Sequence, residues 1–213
     1  MTKREYGQFC GLARAVEIVG ERWALLIIRD LFVGPRRYTD LRRGLPRIPT
    51  NILSARLKEL EATGVVSRRV LPRPDGSIVY ELTEYGNQLE PVVLGLGRWG
   101  AKSLGEPRPD EIVTPASLIM AMRTTFHREA ADGLTIGYEI RVGDIVLHVR
   151  IDNGSLKVAE GALPDADLVI ETGPALGALM AREITPAEAV DGGIVTLTGD
   201  PALLDTFVDL FSI

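Results

Sequence analysis

The chain is poor in the residues that stitch, span or catalyse. It has one cysteine, Cys10, in 213 residues, so no disulfide can close within it and a reducing, cytoplasmic setting is expected. Its longest clean apolar run, Trp23–Ile28, is six residues, far below the roughly 20 that a membrane-spanning helix needs. No membrane partner is therefore expected. The opening MTKREYGQFC carries charges with no apolar core behind them, and no signal peptide is expected. Histidine occurs only at His127 and His148. Neither has a second ligand-type residue at a useful spacing, so no metal site and no Ser-His-Asp triad is expected. Both are expected on exposed positions, of a helix and a strand. Gly95, Gly97 and Gly100 spell G-x-G-x-x-G, but a helical pattern precedes them and a proline-rich stretch follows. A dinucleotide site needs a strand before and a helix after, so no cofactor is expected. With no acid–base or nucleophile constellation, the chain does not read as an enzyme.

What it does have is charge, unevenly divided. Residues 1–106 hold 17 Lys+Arg against 12 Asp+Glu, a balance of +5, while residues 107–213 hold 7 against 17, a balance of −10. Such asymmetry suggests two modules with different partners. A basic half is the footprint expected for a phosphate backbone, and an acidic half should face away from it. Between them GEPRPDEIVTP, residues 105–115, packs three prolines into eleven residues and reads as a linker. The expected domains are 1–106 and 107–213.

In the first half Leu12, Ala15, Val16 and Val19 recur at helical spacing up to Gly20. Trp23, Leu26, Ile27 and Leu31 continue in a second helix that Gly34-Pro35 stops. A short third helix carries Tyr38, Leu41 and Leu45. In the fourth, Leu53, Leu57 and Leu60 share one face, while Asn51, Ser54 and Lys58 fall largely opposite, and Gly64 is the stop. Val65–Leu71 and Ile78–Leu82 read as strands joined by a turn at Asp75-Gly76. Thr83 caps a helix running toward Leu104.

The second half reads as α+β. Thr114-Pro115 starts a helix with Leu118, Ile119, Met122 and Phe126 on its apolar face. Alternation marks strands around Tyr138, Leu147, Val158 and Asp167–Thr172. Helices are expected after Gly173-Pro174 and after Thr185-Pro186, where Thr185 and Glu188 have capping-box spacing. Gly193–Gly199 is a last strand, and Asp200-Pro201 opens a final helix.

Helix, helix, short helix, polar-faced helix and basic hairpin is the order of a winged helix-turn-helix. The leucine face of the fourth helix would hold it on the domain and leave Thr50, Asn51 and Ser54 to approach base edges in a major groove about one helix wide. Arg68, Arg69 and Arg73 on the hairpin could lie along the backbone. Arg36, Arg37, Arg42, Arg43 and Arg47 cluster before the helix, as phosphate contacts or as a merely solvated surface. Arg56 could contact phosphate or tie the helix to Glu59 or Asp40.

The residues also carry resemblances. Gly20–Trp23 (G-x-R-W), Gly34–Leu41 (GPRRY-x-x-L), Leu53–Leu60 (L-S-x-R-L-K-x-L) and Tyr80–Thr83 (Y-x-L-T) resemble the HxlR-type winged-helix transcription regulators, from about Cys10 to Gly100. The resemblance implies a homodimer on double-stranded DNA. Thr50, Asn51 and Ser54 would read bases, and Arg36, Arg37, Lys58 and Arg73 would hold phosphates. Leu89, Val92, Leu96 and Trp99 would pair subunits, unless that stripe is intrachain core. It also points to Cys10 as a redox switch whose thiol Arg14 could activate, against a small buried hydrophobe. The family usually follows this cysteine with proline, and here Gly11 departs from it. The second half, Thr114 to Phe211, resembles a sterol-carrier-type lipid-binding fold with a curved sheet. That implies an apolar cavity and a small apolar ligand, with Met122 and Phe126 as candidate contacts. The rival reading is a carrier of lipid or another hydrophobic molecule, whose winged helix serves only for pairing.

Overall fold

The structure, a computed structural model, describes residues 5–105, 108, 110–173 and 176–213. The chain splits into two compact units, Met1–Val93 and Leu94–Ile213. The expected boundary at 106/107, part of the proline-rich linker, and Pro174 of the Gly173-Pro174 helix start all lie outside the described residues. Among the described residues no helix is long and apolar enough to cross a membrane.

The first unit runs α1 (Gly11–Val19), α2 (Ala24–Phe32), β1 (Arg36–Arg37), α3 (Tyr38–Gly44), α4 (Thr50–Ala62), β2 (Val66–Val70), β3 (Ile78–Leu82) and α5 (Glu84–Asn87). α6 (Glu90–Ala101) then carries the chain from the first unit into the second. Ile27, Ile28 and Leu31 of α2, Leu41 of α3 and Leu53, Leu57 and Leu60 of α4 form one buried cluster with Val65 and Val66. Burying such side chains contributes about 1.5–3 kcal/mol each before opposing entropy. The hairpin is a three-stranded antiparallel sheet in the order β1-β3-β2, with Arg36 opposite Tyr80 and Arg37 opposite Val79. Two residues carry no readable period, so nothing in the sequence announced β1.

Two local expectations are corrected. The helix expected from Thr83 to Leu104 is two helices, α5 and α6, with Gln88 and Leu89 between them. Pro91 explains the break, because proline lacks the amide a helix interior needs and is tolerated in a first turn. In α1 the apolar pair Leu12 and Val16 faces out, and only Ala13 is buried. Periodicity finds a stripe on a helix but does not say what covers it.

The second unit holds α7 (Pro115–Thr125), β4 (Thr135–Val142), β5 (Ile145–Asp152), β6 (Ser155–Glu160), β7 (Leu168–Thr172), α8 (Leu176–Met180), α9 (Pro186–Asp191), β8 (Val195–Gly199) and α10 (Leu203–Leu210). The expected caps are present. Thr114 and Ser117 bond reciprocally at the start of α7, as do Thr185 and Glu188 at the start of α9. The sheet order is β6-β5-β4-β7-β8, with β4 and β7 parallel and the other pairs antiparallel. Joining β6 to its non-neighbour β7 requires a crossover, residues 161–167. Leu163 of that crossover is buried where β4 has Gly137, whose absent Cβ would lie 2.9 Å from the leucine. Asp167 accepts the Gly137 N–H at 2.7 Å. On the opposite side of the sheet Tyr138 meets Phe207 edge-on at 5.5 Å, and Phe207, Phe211 and Phe126 continue the aromatic run.

Candidate nucleic-acid interface

α4 is amphipathic for a physical reason. Leu53, Leu57 and Leu60, at i, i+4 and i+7, are almost fully buried, so the helix is pinned from one side. Thr50, Asn51, Ser54 and Lys58 are left exposed along the other. The Tyr38 hydroxyl on α3 donates to the Thr50 carbonyl at 2.9 Å, bracing the first turn. Ser54 Oγ lies 3.0 Å from the Thr50 carbonyl and 3.3 Å from Tyr38 Oη. A hydroxyl has one proton and two lone pairs, so Ser54 can still accept from a base edge. Asn51 projects both donors and an acceptor from the same turn.

The cations around α4 fall into two groups. Arg42, Lys58, Arg68 and Arg73 are exposed, and none has a hydrogen bond or ion pair to a carboxylate among the described residues. Others are already engaged. Arg37 Nη2 bonds Asp75 at 2.5 Å from β1 to the wing tip. Arg69 meets both Glu81 oxygens across the hairpin, with Nη2–Oε2 at 2.8 Å, and that pairing holds the Glu81 carboxyl below its usual range. Arg43 approaches Asp40 at 3.9 Å. Arg36 is half-buried.

Of the two roles open to Arg56, the tie is the one found. The side chain is buried, bonded to Glu59, with Glu21 at 3.7 Å where Asp40 was the other expected partner. Beneath the interface Asp30 is buried on α2 and paired with Arg29 at 2.7 Å. Burial pushes its carboxyl up, against the lowering by Arg29 and Arg36. Gly44 makes room for it, since a Cβ there would lie 2.6 Å from the Asp30 carboxylate.

Cys10 is exposed at the N-cap of α1, not buried. Backbone N–H groups of Ala13 and Leu12 hold its thiol below the ordinary value. Arg14, the expected cause, is bonded instead to Glu17 at 2.7 Å. Val92, Leu96 and Trp99 are exposed along α6, while Leu89 and Val93 pack on the first unit's core. Gly95, Gly97 and Gly100 lie inside α6, where no phosphate-binding turn can form.

In the second unit Met122 is fully buried and Phe126 is half-buried against Phe211, with ring centroids 5.6 Å apart. Neither lines a cleft of about 490 Å³ in this unit, which is walled by Thr135, Gly137, Arg150, Asp152, Lys157 and Asp165 among others. That wall is polar, unlike the apolar cavity expected. His127 is exposed just beyond α7 and meets Ser212, and His148 is half-buried near the Gly161 carbonyl.

Sequence reading missed the carboxylates that engage the wing arginines. Asp75 carried only a turn signal, and no local pattern relates it to Arg37, 38 residues earlier.

The family model described as HxlR-like helix-turn-helix matches residues 18–107. The uncharacterized HTH-type transcriptional regulator YvaP of Bacillus subtilis is 38% identical over 89 residues, 42% of this chain and 82% of its own length. The uncharacterized HTH-type regulator sll1512 of Synechocystis is 33% identical over 97 residues, 46% of this chain and 72% of its own. The HTH-type transcriptional regulator YodB of Bacillus subtilis is 39% identical over 85 residues, 40% of this chain and 76% of its own. With 72–82% of these relatives' length aligned to this chain and the family model spanning α3, α4 and the wing, the chain belongs to the HxlR-like helix-turn-helix family.

Proposed function

We propose that the chain is a DNA-binding transcriptional regulator that acts as a homodimer, with residues 1–106 as its DNA-binding and pairing domain and residues 107–213 as a sensor of an apolar small molecule. The observation that carries the DNA reading is the exposed polar face of α4, backed by Leu53, Leu57 and Leu60. In this reading Thr50, Asn51 and Ser54 contact base edges, and Arg36, Arg37, Lys58 and Arg73 hold phosphates.

Pairing is supported by the exposed Val92, Leu96 and Trp99 on α6. Three large apolar side chains at i, i+4 and i+7 form a seam that water covers poorly. Two recognition helices would then enter successive major grooves, about 34 Å apart. The sensor role rests on the sterol-carrier resemblance of the second half; Met122, fully buried, and Phe126, half-buried, would be its contacts in an arrangement that opens the packing around them. A ligand there would act by favouring one arrangement of the chain over another. The exposed, activated thiol at Cys10 supports a second, redox input.

Base-reading and phosphate-holding residues differ in what their loss does. Asn51→Ala is expected to narrow the gap between operator and random duplex while leaving random-duplex affinity nearly intact. Arg73→Ala is expected to weaken both duplexes alike, by about five-fold. Equal effects of the two substitutions on both duplexes would remove the role assignment. Absence of duplex binding at low salt, with and without a long-chain fatty acid, would remove the regulator reading in favour of a hydrophobic-ligand carrier.

A further inference from the structure

The wing carries its own anion. β1 is pinned to β3 by the Arg37–Val79 register, and the Arg37 backbone N–H is fixed on Asp40 at 3.1 Å. From there the Arg37 side chain reaches the tip of the β2–β3 loop and meets the Asp75 carboxylate at 2.5 Å. The loop is closed by Leu71 N–H to the Ser77 carbonyl at 2.8 Å and turns through Gly76 at φ 61°. Asp75 is thereby presented at the tip, beside the exposed Arg73.

Both partners are substantially exposed, with 48% of the Arg37 side chain and 39% of the Asp75 side chain accessible. Exposed pairs contribute little to stability, so this pair is poorly explained as a fold-holding device. Its chemistry is more informative. The guanidinium fork donates to carboxylate and phosphate oxygens with the same geometry. A duplex phosphate arriving at the wing tip therefore meets an arginine already holding an oxyanion, and a negative charge beside it.

We propose that Asp75 is a built-in phosphate surrogate, which occupies Arg37 in the free protein and must be displaced when the wing settles on a duplex. The exchange trades one oxyanion for another on Arg37, so its net yield is smaller than that of a cation such as Arg73, which has no carboxylate partner among the described residues. Asp75 thus trims the sequence-independent part of the affinity and leaves a larger share to α4. The proposal rests on the DNA reading above and deepens it by naming how its phosphate contacts are regulated.

The test is a double-substitution cycle on the full chain, read by fluorescence anisotropy with a random-sequence duplex across a salt series. Asp75→Asn keeps the shape and suits the turn, and Asp75→Ser is the second variant should Asn alter the loop. Either is expected to bind about five-fold tighter than wild type, which is about 1 kcal/mol. The log–log salt slope is expected to steepen by up to about 1.8, one further phosphate's worth in each of two subunits. In an Arg37→Ala background the same substitutions are expected to gain almost nothing. An unchanged gain without Arg37 would show that Asp75 acts only through its general field and would overturn the surrogate role. Weaker binding by both Asp75 variants would overturn it in favour of a loop-positioning role. If the wild-type protein binds no duplex at low salt, the DNA reading fails first and the surrogate role with it. Wild-type binding unaffected by either variant defeats the surrogate alone.

Discussion

In the second unit Arg141 reaches Glu139 and Glu171, each at 2.6 Å, Arg150 reaches Asp165 at 2.8 Å and Arg182 reaches Asp209 at 2.9 Å. In the first, Arg42, Lys58, Arg68 and Arg73 stand exposed around α4, and Arg37 is held by a single carboxylate at the wing tip. The residue type is the same and its surroundings differ. A half with a balance of −10 has carboxylates to neutralise its own arginines, whereas a half with a balance of +5 has cations to spare. An exposed cation without an internal carboxylate is the group that counterion release on a polyanion rewards. The contrast teaches that the number of arginines says less than how many are already matched within the chain.

The largest expected effect breaks the contrast at its base. Leu57→Ala removes a buried side chain of α4 and is expected to destabilise the first unit by about 2–5 kcal/mol. Calorimetry should show that unit's transition moving down, with duplex binding lost. If the second unit's transition moves equally, the two do not unfold separately.

Next in size is Glu139→Gln in the second unit. Glu139 is buried, accepts the Leu163 N–H at 2.6 Å and receives Arg141 at 2.7 Å. The substitution should cost about 1–3 kcal/mol in the second transition and leave DNA affinity unchanged. The Leu163 N–H, with Arg141 adding to it and burial opposing, holds the Glu139 carboxyl below its usual value. A depressed carboxylate contributes stability above its unfolded pKa, near 4.3, and loses it as pH falls through the lower folded value. The melting-temperature gap between wild type and Glu139→Gln should therefore close as the solution is acidified below about pH 4.

A smaller effect sharpens the contrast directly. Arg73→Ala and Arg150→Ala remove the same charge from the two halves. The first is expected to weaken random-duplex binding about five-fold and flatten the salt slope by about 1.8, one phosphate in each of two subunits, and the second to change neither. Equal losses would mean that the matched arginines of the second unit also reach DNA. The smallest effect is at Cys10, exposed at the start of α1, whose replacement by serine should leave the melting temperature almost unchanged. The wild-type thiol should react with iodoacetamide at pH 7 faster than a free cysteine does, since its thiolate is favoured at the start of α1.

These particulars also mark what could be read from the chain alone. The leucine face of α4, the caps at Thr114 and Thr185 and the alternating strands were legible, because each is a local pattern with a fixed period or spacing. The polar stripe of Asn51, Ser54 and Lys58 followed from the same period. The i, i+3 spacing of Arg56 and Glu59 made the tie legible as one of two roles, but the pairing of β1 and the outward turn of Leu12 and Val16 were not legible. Each depends on which distant residue lies opposite, and no period encodes that. The Arg37–Asp75 pair belongs with these, joining a strand that carries no signal to a turn residue 38 positions later.

The salt dependence of wild-type duplex binding tests the central claim most directly. With Arg36, Arg37, Lys58 and Arg73 on phosphates in each of two subunits, log Kobs against log salt should fall with a slope of roughly −7, less whatever Asp75 withholds. Binding that is absent at low salt, or whose slope lies near zero, would contradict the account.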